Sequence, residues 1–118
     1  MEFSIDLKTD SDVVQSDNGT KYRLSSIIAA INEFNKKCPK RGGMIERSEV
    51  GSCRKFTHVT TSLKYEKGKL IANIEFLKSE YESKNYSMKP IIAIPLRFGS
   101  GIEVENVLKI VNIFLEEI

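Results

Sequence analysis

Phe56-Thr57-His58-Val59-Thr60-Thr61-Ser62-Leu63-Lys64-Tyr65-Glu66, then Lys67-Gly68, then Lys69-Leu70-Ile71-Ala72-Asn73-Ile74-Glu75-Phe76-Leu77, reads as a β-hairpin. Both arms are rich in β-branched and aromatic residues, and Lys67-Gly68 supplies the turn between them. Val59, Thr61, Leu63 and Tyr65 alternate along the first arm, and Leu70, Ala72, Ile74 and Phe76 along the second. A period of two puts each set on one face of a strand.

Upstream, Phe3, Ile5 and Leu7 alternate with polar residues and predict a first strand over 2–8. The segment 9–21 is polar, with a turn at Asp17-Asn18-Gly19 and Val13-Val14 as a short strand inside it. From Leu24 the period changes. Leu24, Ile27, Ile28, Ile31 and Phe34 fit the i, i+3, i+4, i+7 spacing of an amphipathic helix. Ser25 or Ser26 is expected to cap its start, Lys36 and Lys37 to favour the dipole at its end, and Pro39 to stop it. Residues 38–55 are basic and contain Gly42-Gly43, which reads as a long irregular loop with Met44-Ile45 as a short strand.

Downstream, 78–88 reads as a short helix or a loop, and Ile91-Ile92-Ala93-Ile94 as a strand buried on both faces and limited by Pro95. Gly99-Ser100-Gly101 turns the chain. Val and Ile dominate Val107–Ile113, which favours a last strand from about residue 106 over a helix. The expected fold class is α+β in a single domain, 1–118. It has a mostly antiparallel sheet or small barrel and one main amphipathic helix near the N-terminus. The expected core is Phe3, Ile5, Leu7, Ile27, Ile28, Ile31, Phe34, Leu63, Leu70, Ile74, Phe76, Ile92, Ile94, Val111 and Ile113.

The 118 residues hold 18 Lys plus Arg against 16 Asp plus Glu, a net charge of +2. That excludes a strongly polybasic arm and an acidic tail. No apolar run approaches the roughly 20 residues that span a membrane as a helix. The start, Met1-Glu2-Phe3-Ser4-Ile5-Asp6, lacks the basic-then-apolar layout of a secretory signal, so a small soluble intracellular domain is expected. With Cys38, Cys53 and His58 as the full set of Cys and His, a four-ligand zinc site would need a carboxylate or a second chain. Two reduced thiols are the simpler reading, and no cofactor is expected.

His58 acts as a general base only with a nucleophile and an orienting acid beside it. Ser48, Ser52, Ser100, Cys53, Glu46 and Glu49 are of the right types. A half-exposed strand histidine with a structural hydrogen bond explains it more simply. Lys36, Lys37, Lys40, Arg41, Arg47, Arg54 and Lys55 form the strongest local charge feature. Clustered, they would neutralise phosphates and bind in a salt-sensitive way. Phe34 is expected in the core, which leaves Phe56 as the nearby stacking ring and favours a solvated loop or a contact to an acidic protein surface over a single-stranded nucleic acid.

Three segments resemble, in order, the prohead proteases of tailed bacteriophages, the serine proteases of capsid maturation. Asn18-Gly19-Thr20-Lys21-Tyr22 followed by the helix is similar to that family's Asn-x-x-x-Tyr turn and helix. His58-Val59 leading into Leu63–Ile74 resembles the hairpin after the catalytic histidine. Ile94-Pro95-Leu96-Arg97-Phe98-Gly99-Ser100-Gly101 followed by Val107–Ile113 resembles the catalytic-serine strand and the final strand. The family histidine lies in a Gly-Glu-Leu-x-His-Pro type motif. Here the matching stretch is Gly43-Met44-Ile45-Glu46-Arg47-Ser48, with Arg47 near the histidine position. The family serine precedes an arginine, and here Pro95 and Leu96 precede Arg97. An arginine holds its proton at any working pH, and neither Pro nor Leu can attack a carbonyl.

The resemblance therefore implies a scaffold without the activity. The expected function is a non-enzymatic phage protein that contacts a capsid or other virion protein. A binder of a host factor or nucleic acid through the basic stretch is the alternative, and a hydrolase using His58 comes third. Assembly into a homo-oligomer is compatible with the first two.

Overall fold

The computed structural model describes residues 1–16, 19–48, 51–95 and 104–118, with backbone alone for 45–48 and 51–54. In chain order the elements are β1 (Glu2–Asp6), β2 (Lys8–Asp10), β3 (Val13–Gln15), β4 (Lys21–Arg23), α1 (Leu24–Asn35), β5 (Lys40–Ser48), β6 (Gly51–Glu66) and β7 (Lys69–Phe76). A 3-10 turn (Ser79–Ser83) then precedes β8 (Tyr86–Ala93), β9 (Val104–Glu105) and β10 (Lys109–Glu117). Six strands form one curled sheet in the order β1-β7-β6-β5-β10-β8, and four short ones form a second, β2-β3-β4-β9. Pairing is antiparallel except for β5 with β10 and β4 with β9, which run parallel. The expected α+β class, with one early helix on a barrel-like sheet, is the observed one. Among the described residues no helix is long and apolar enough to cross a membrane.

The hairpin forms where the sequence places it. Lys67 and Gly68 both take positive φ, 52° and 76°, as a tight turn matched to strand twist requires. On β7 the alternating residues Leu70, Ala72 and Ile74 are buried. On β6 the expected alternation fails. The register shifts between Thr60 and Ser62, leaving Thr61 as an extra residue, and again opposite Gly42/Gly43, leaving Thr57 as another. Each bulge moves the inward set by one position. His58, Thr60 and Leu63 are buried, while Val59, Thr61 and Tyr65 are only partly so. A third shift, at Val111 of β10, bends that strand too. Bulges concentrate bending, and these let the sheet curl until its edge strands β1 and β8 meet. There the rings of Phe3 and Tyr86 lie 6.4 Å apart, each also packed on Phe76.

The helix lays Ile27, Ala30, Ile31 and Phe34 onto the concave face of this sheet. Its start differs from the expectation. Arg23 is the flanking residue and neither Ser25 nor Ser26 caps it. Asp12, on the β2–β3 turn, accepts from the Ser25 backbone N–H at 3.1 Å and pairs with Arg23 at 3.5 Å. Ser26 instead donates to the Arg23 carbonyl at 2.6 Å and accepts from the Val107 N–H at 2.9 Å. At the other end, the Asn35 amide bonds the N–H and C=O of Leu63 at 2.8 and 2.9 Å, standing in for a strand neighbour of β6.

Other expectations need correction. The 38–55 segment is no irregular loop: Lys40–Ser48 and the start of β6 form a second hairpin. The apolar run at 91–94 belongs to a strand that begins earlier, at Tyr86, and ends at Ala93. It is an edge strand, so Ile91, Ile92 and Ala93 are half-buried and Ile94 is 45% exposed. Ile28 also faces out, at 42%, because the buried stripe of the helix passes beside it. The last strand starts at Lys109, separate from the short Val104–Glu105. The turns at Asp17-Asn18 and Gly99-Ser100-Gly101 lie outside the described residues, apart from Gly19 with its φ of 86°.

Replacing Asp12 by Ala removes a helix cap supplied from another element, which typically costs about 1 kcal/mol. Asp12→Ala is expected to lower the unfolding free energy by that amount, measured by denaturant titration, with Asp12→Asn retaining most of it.

Candidate functional site

His58 is the chain's single histidine and its side chain is fully buried. It is not the half-exposed strand residue expected, although the structural hydrogen bond is there. Two in fact are present. Nε2 lies 2.9 Å from the Ile113 carbonyl, which can only accept, so Nε2 carries the proton. Nδ1 then accepts from the Thr57 hydroxyl at 2.9 Å. Burial pushes the His58 pKa below its ordinary value, with the Ile113 carbonyl opposing this more weakly. The ring is therefore the neutral Nε2–H form.

The geometry of this bond depends on a glycine. His58 is on β6 and Ile113 on β10, with β5 running between them. The imidazole crosses β5 at Gly42, where any Cβ would collide with Nε2 and with the Ile113 oxygen. The backbone ladder between β5 and β10 is completed by side chains at this point. Asn112 Nδ2 donates to the Arg41 carbonyl at 2.8 Å, and Asn112 Oδ1 accepts from the Ile113 N–H at 2.9 Å. On its far side Ile113 stands opposite Pro90, which has no N–H to offer. His58 thus supplies the donor that the Ile113 carbonyl needs, and has no ring nitrogen left for a substrate.

The remaining candidates for catalysis do not gather around it. Cys38 is a free thiol at the end of the helix, 3.5 Å from the Phe34 carbonyl, with its pKa pushed up by burial. Ser100 and Glu49 lie outside the described residues, as do the side chains of Glu46, Ser48, Ser52 and Cys53. Among the described residues no group of three His, Cys, Asp or Glu side chains could hold a metal ion.

The seven basic residues are strung out rather than clustered. Lys36 and Lys37 follow the helix, Lys40 and Arg41 open β5, and Lys55 sits on β6 opposite Met44. Arg47 and Arg54 lie on the same two strands opposite Ser52 and Ile45, and their side chains are outside the described residues. Lys40 and Arg47 are seven strand residues apart, roughly 23 Å. Three of the charges are engaged locally. Lys36 pairs with Glu33 at 2.8 Å, while Lys40 and Lys55 lie 5.7 and 5.4 Å from the ring centres of Phe34 and Tyr81. The Lys36 contact lowers the Glu33 pKa and raises that of Lys36, chiefly through the hydrogen bond between them.

The hollow beside Phe56 on this ribbon has no signal in the sequence. Phe56 is 65% exposed on the outer face of the sheet. It borders a hollow of about 270 Å³ lined also by Gly43, Ile91, Val111, Asn112 and Phe114. Arg41, two residues before Gly43, shares that outer face and is exposed. The bulge at Thr57 keeps Phe56 outward while Thr57 and His58 both face in. The class defined by these observations is a one-helix, nearly closed β-barrel with an apolar and basic patch on its outer face. Compared with known proteins, the chain matches no family model, no curated protein and no solved structure.

Two outcomes follow. Gly42→Ala is expected to destabilise the fold by about 2 kcal/mol or more, since it adds bulk and breaks a buried hydrogen bond. Circular dichroism during denaturation measures this. The second concerns pH. The unfolded chain binds a proton at its histidine more readily than the folded one, so the folded state is favoured fully above about pH 6.5. That contribution is lost as pH falls below this value. Melting temperature is expected to drop between pH 7.5 and 5.5, and to drop less in His58→Gln, whose side-chain amide can still donate to the Ile113 carbonyl.

Proposed function

We propose that this chain is a non-enzymatic bacteriophage protein that binds a capsid or other virion protein, as a decoration or auxiliary component, on a protease-like scaffold. The resemblance motivates the phage assignment. What carries the non-catalytic part is His58, whose two nitrogens are spent on Thr57 and the Ile113 carbonyl inside the core. At the positions that match the family's catalytic pair stand Arg47 and Pro95-Leu96.

The outer face of the β5–β6 ribbon is the binding surface in this reading. Protein interfaces favour an aromatic anchor beside a pocket, with charge around it. Phe56 and the adjoining hollow supply the anchor, and the exposed Arg41 supplies positive charge facing an acidic partner. Binding to nucleic acid is less well supported, since Lys36, Lys40 and Lys55 already hold Glu33 and two rings.

Mass spectrometry of purified virions of the encoding phage tests the proposal, counting copies per particle. Many copies are expected. Absence from virions would overturn the structural role and favour an intracellular binder of a host factor. Phe56→Ala with Arg41→Glu is expected to weaken co-sedimentation with the capsid about tenfold or more. Stability should stay within about 0.5 kcal/mol of the parent, as exposed positions usually do.

A further inference from the structure

The seam between β1 and β8 holds a cavity of about 350 Å³ on the opposite side of the sheet from the Phe56 patch. Its walls are Ile5 of β1, Leu7 just after it, and Met88 and Ile92 of β8, and Ile27 of the helix forms its floor. We propose that this cavity is a binding site for an uncharged, mainly apolar small molecule carrying one hydrogen-bonding group.

Size sets the first limit. An apolar cavity of roughly 150 Å³ takes up benzene, and ligand pockets generally begin near 300 Å³. This one suits a molecule of two or three rings. Shape sets the second. Both flanking strands are edges, so an added strand is the rival occupant. The Phe3 and Tyr86 rings meet across one end of the seam, 6.4 Å apart, and bar a strand from running through. The occupant must therefore be compact.

Charge sets the third limit. Asp6 and Lys89 form part of the rim, but each alternates with inward-facing neighbours along its strand and so points away from the cavity. Each is also matched outside it, Asp6 by Lys69 at 3.7 Å and Lys89 by Glu116 at 3.9 Å. An ionised group drawn into these apolar walls would lose hydration with no partner. A neutral polar group fares better. Tyr22 lines the cavity, and its hydroxyl has no hydrogen-bond partner among the described residues.

The test uses the neutral fluorescent arylamine N-phenyl-1-naphthylamine with the full chain. Saturable 1:1 binding with a blue-shifted emission is expected, competed by uncharged alcohols. Methyl NMR shifts should concentrate on Ile5, Leu7, Ile27 and Ile92. Ile92→Trp, which fills a half-buried wall position, should weaken binding about tenfold or more with the same far-ultraviolet spectrum. If that variant does not fold, the methyl shifts of the parent chain decide. No saturable binding, shifts centred on Phe56 instead, or tighter binding of the sulfonated analogue 1-anilinonaphthalene-8-sulfonate would each overturn the proposal.

Discussion

The hydrogen bond from His58 Nε2 to the Ile113 carbonyl, passing over Gly42, ties β10 to the β5–β6 pair at a point that the β5–β10 register, Leu115 with Met44 and Glu116 with Ile45, does not reach. It lies where two irregularities meet, the bulge at Thr57 and the bend at Val111. A bulge leaves backbone groups without strand partners, and a buried carbonyl without a donor costs on the order of 1–3 kcal/mol. Here side chains complete the set. His58 serves the Ile113 oxygen, and Asn112 serves the Arg41 oxygen and the Ile113 nitrogen. The imidazole ring also packs edge-on against Phe76, which touches Phe3 and Tyr86 where the curled sheet comes round on itself. One histidine thus connects the middle of the sheet to its closure.

This role bears directly on function. A catalytic histidine needs one nitrogen facing substrate and a pKa near the working pH. His58 offers no free nitrogen, being sealed and bonded at both, and burial lowers its pKa. What the molecule presents outward is different in kind. The bulge at Thr57 keeps Phe56 toward solvent beside the buried His58, so the structural core and the candidate contact surface meet at the same local irregularity.

Much of the fold was legible in the sequence. The Lys67-Gly68 turn, the alternating β7 and the stripe Ile27, Ile31, Phe34 are local signals, and each was realised. The failures share a cause: they depend on contacts distant in sequence. Asp12 caps a helix whose own serines suggested a cap, because the β2–β3 turn brings it there. Lys40–Ser48 of the basic stretch became strand because β10 and β6 flank it, overriding a pair of glycines that reads as loop. One of those glycines, Gly42, was needed for space beside His58 rather than for a turn. The β6 bulges have no marker in the sequence, and the one at Thr61 moved the inward set by a residue, hiding the depth of His58. The basic residues were identified as a cluster from their density, yet extended strands spread them along a ribbon.

The central claim is that His58 is a neutral structural donor rather than a base. Long-range nitrogen–proton NMR of the single imidazole tests it most directly, since tautomer and titration are read from one ring. A protonated Nε2, an unprotonated Nδ1, and a titration midpoint below the ordinary histidine value of about 6.5 are expected. A ring protonated at Nδ1, or one that titrates at or above that value in the folded protein, would contradict it.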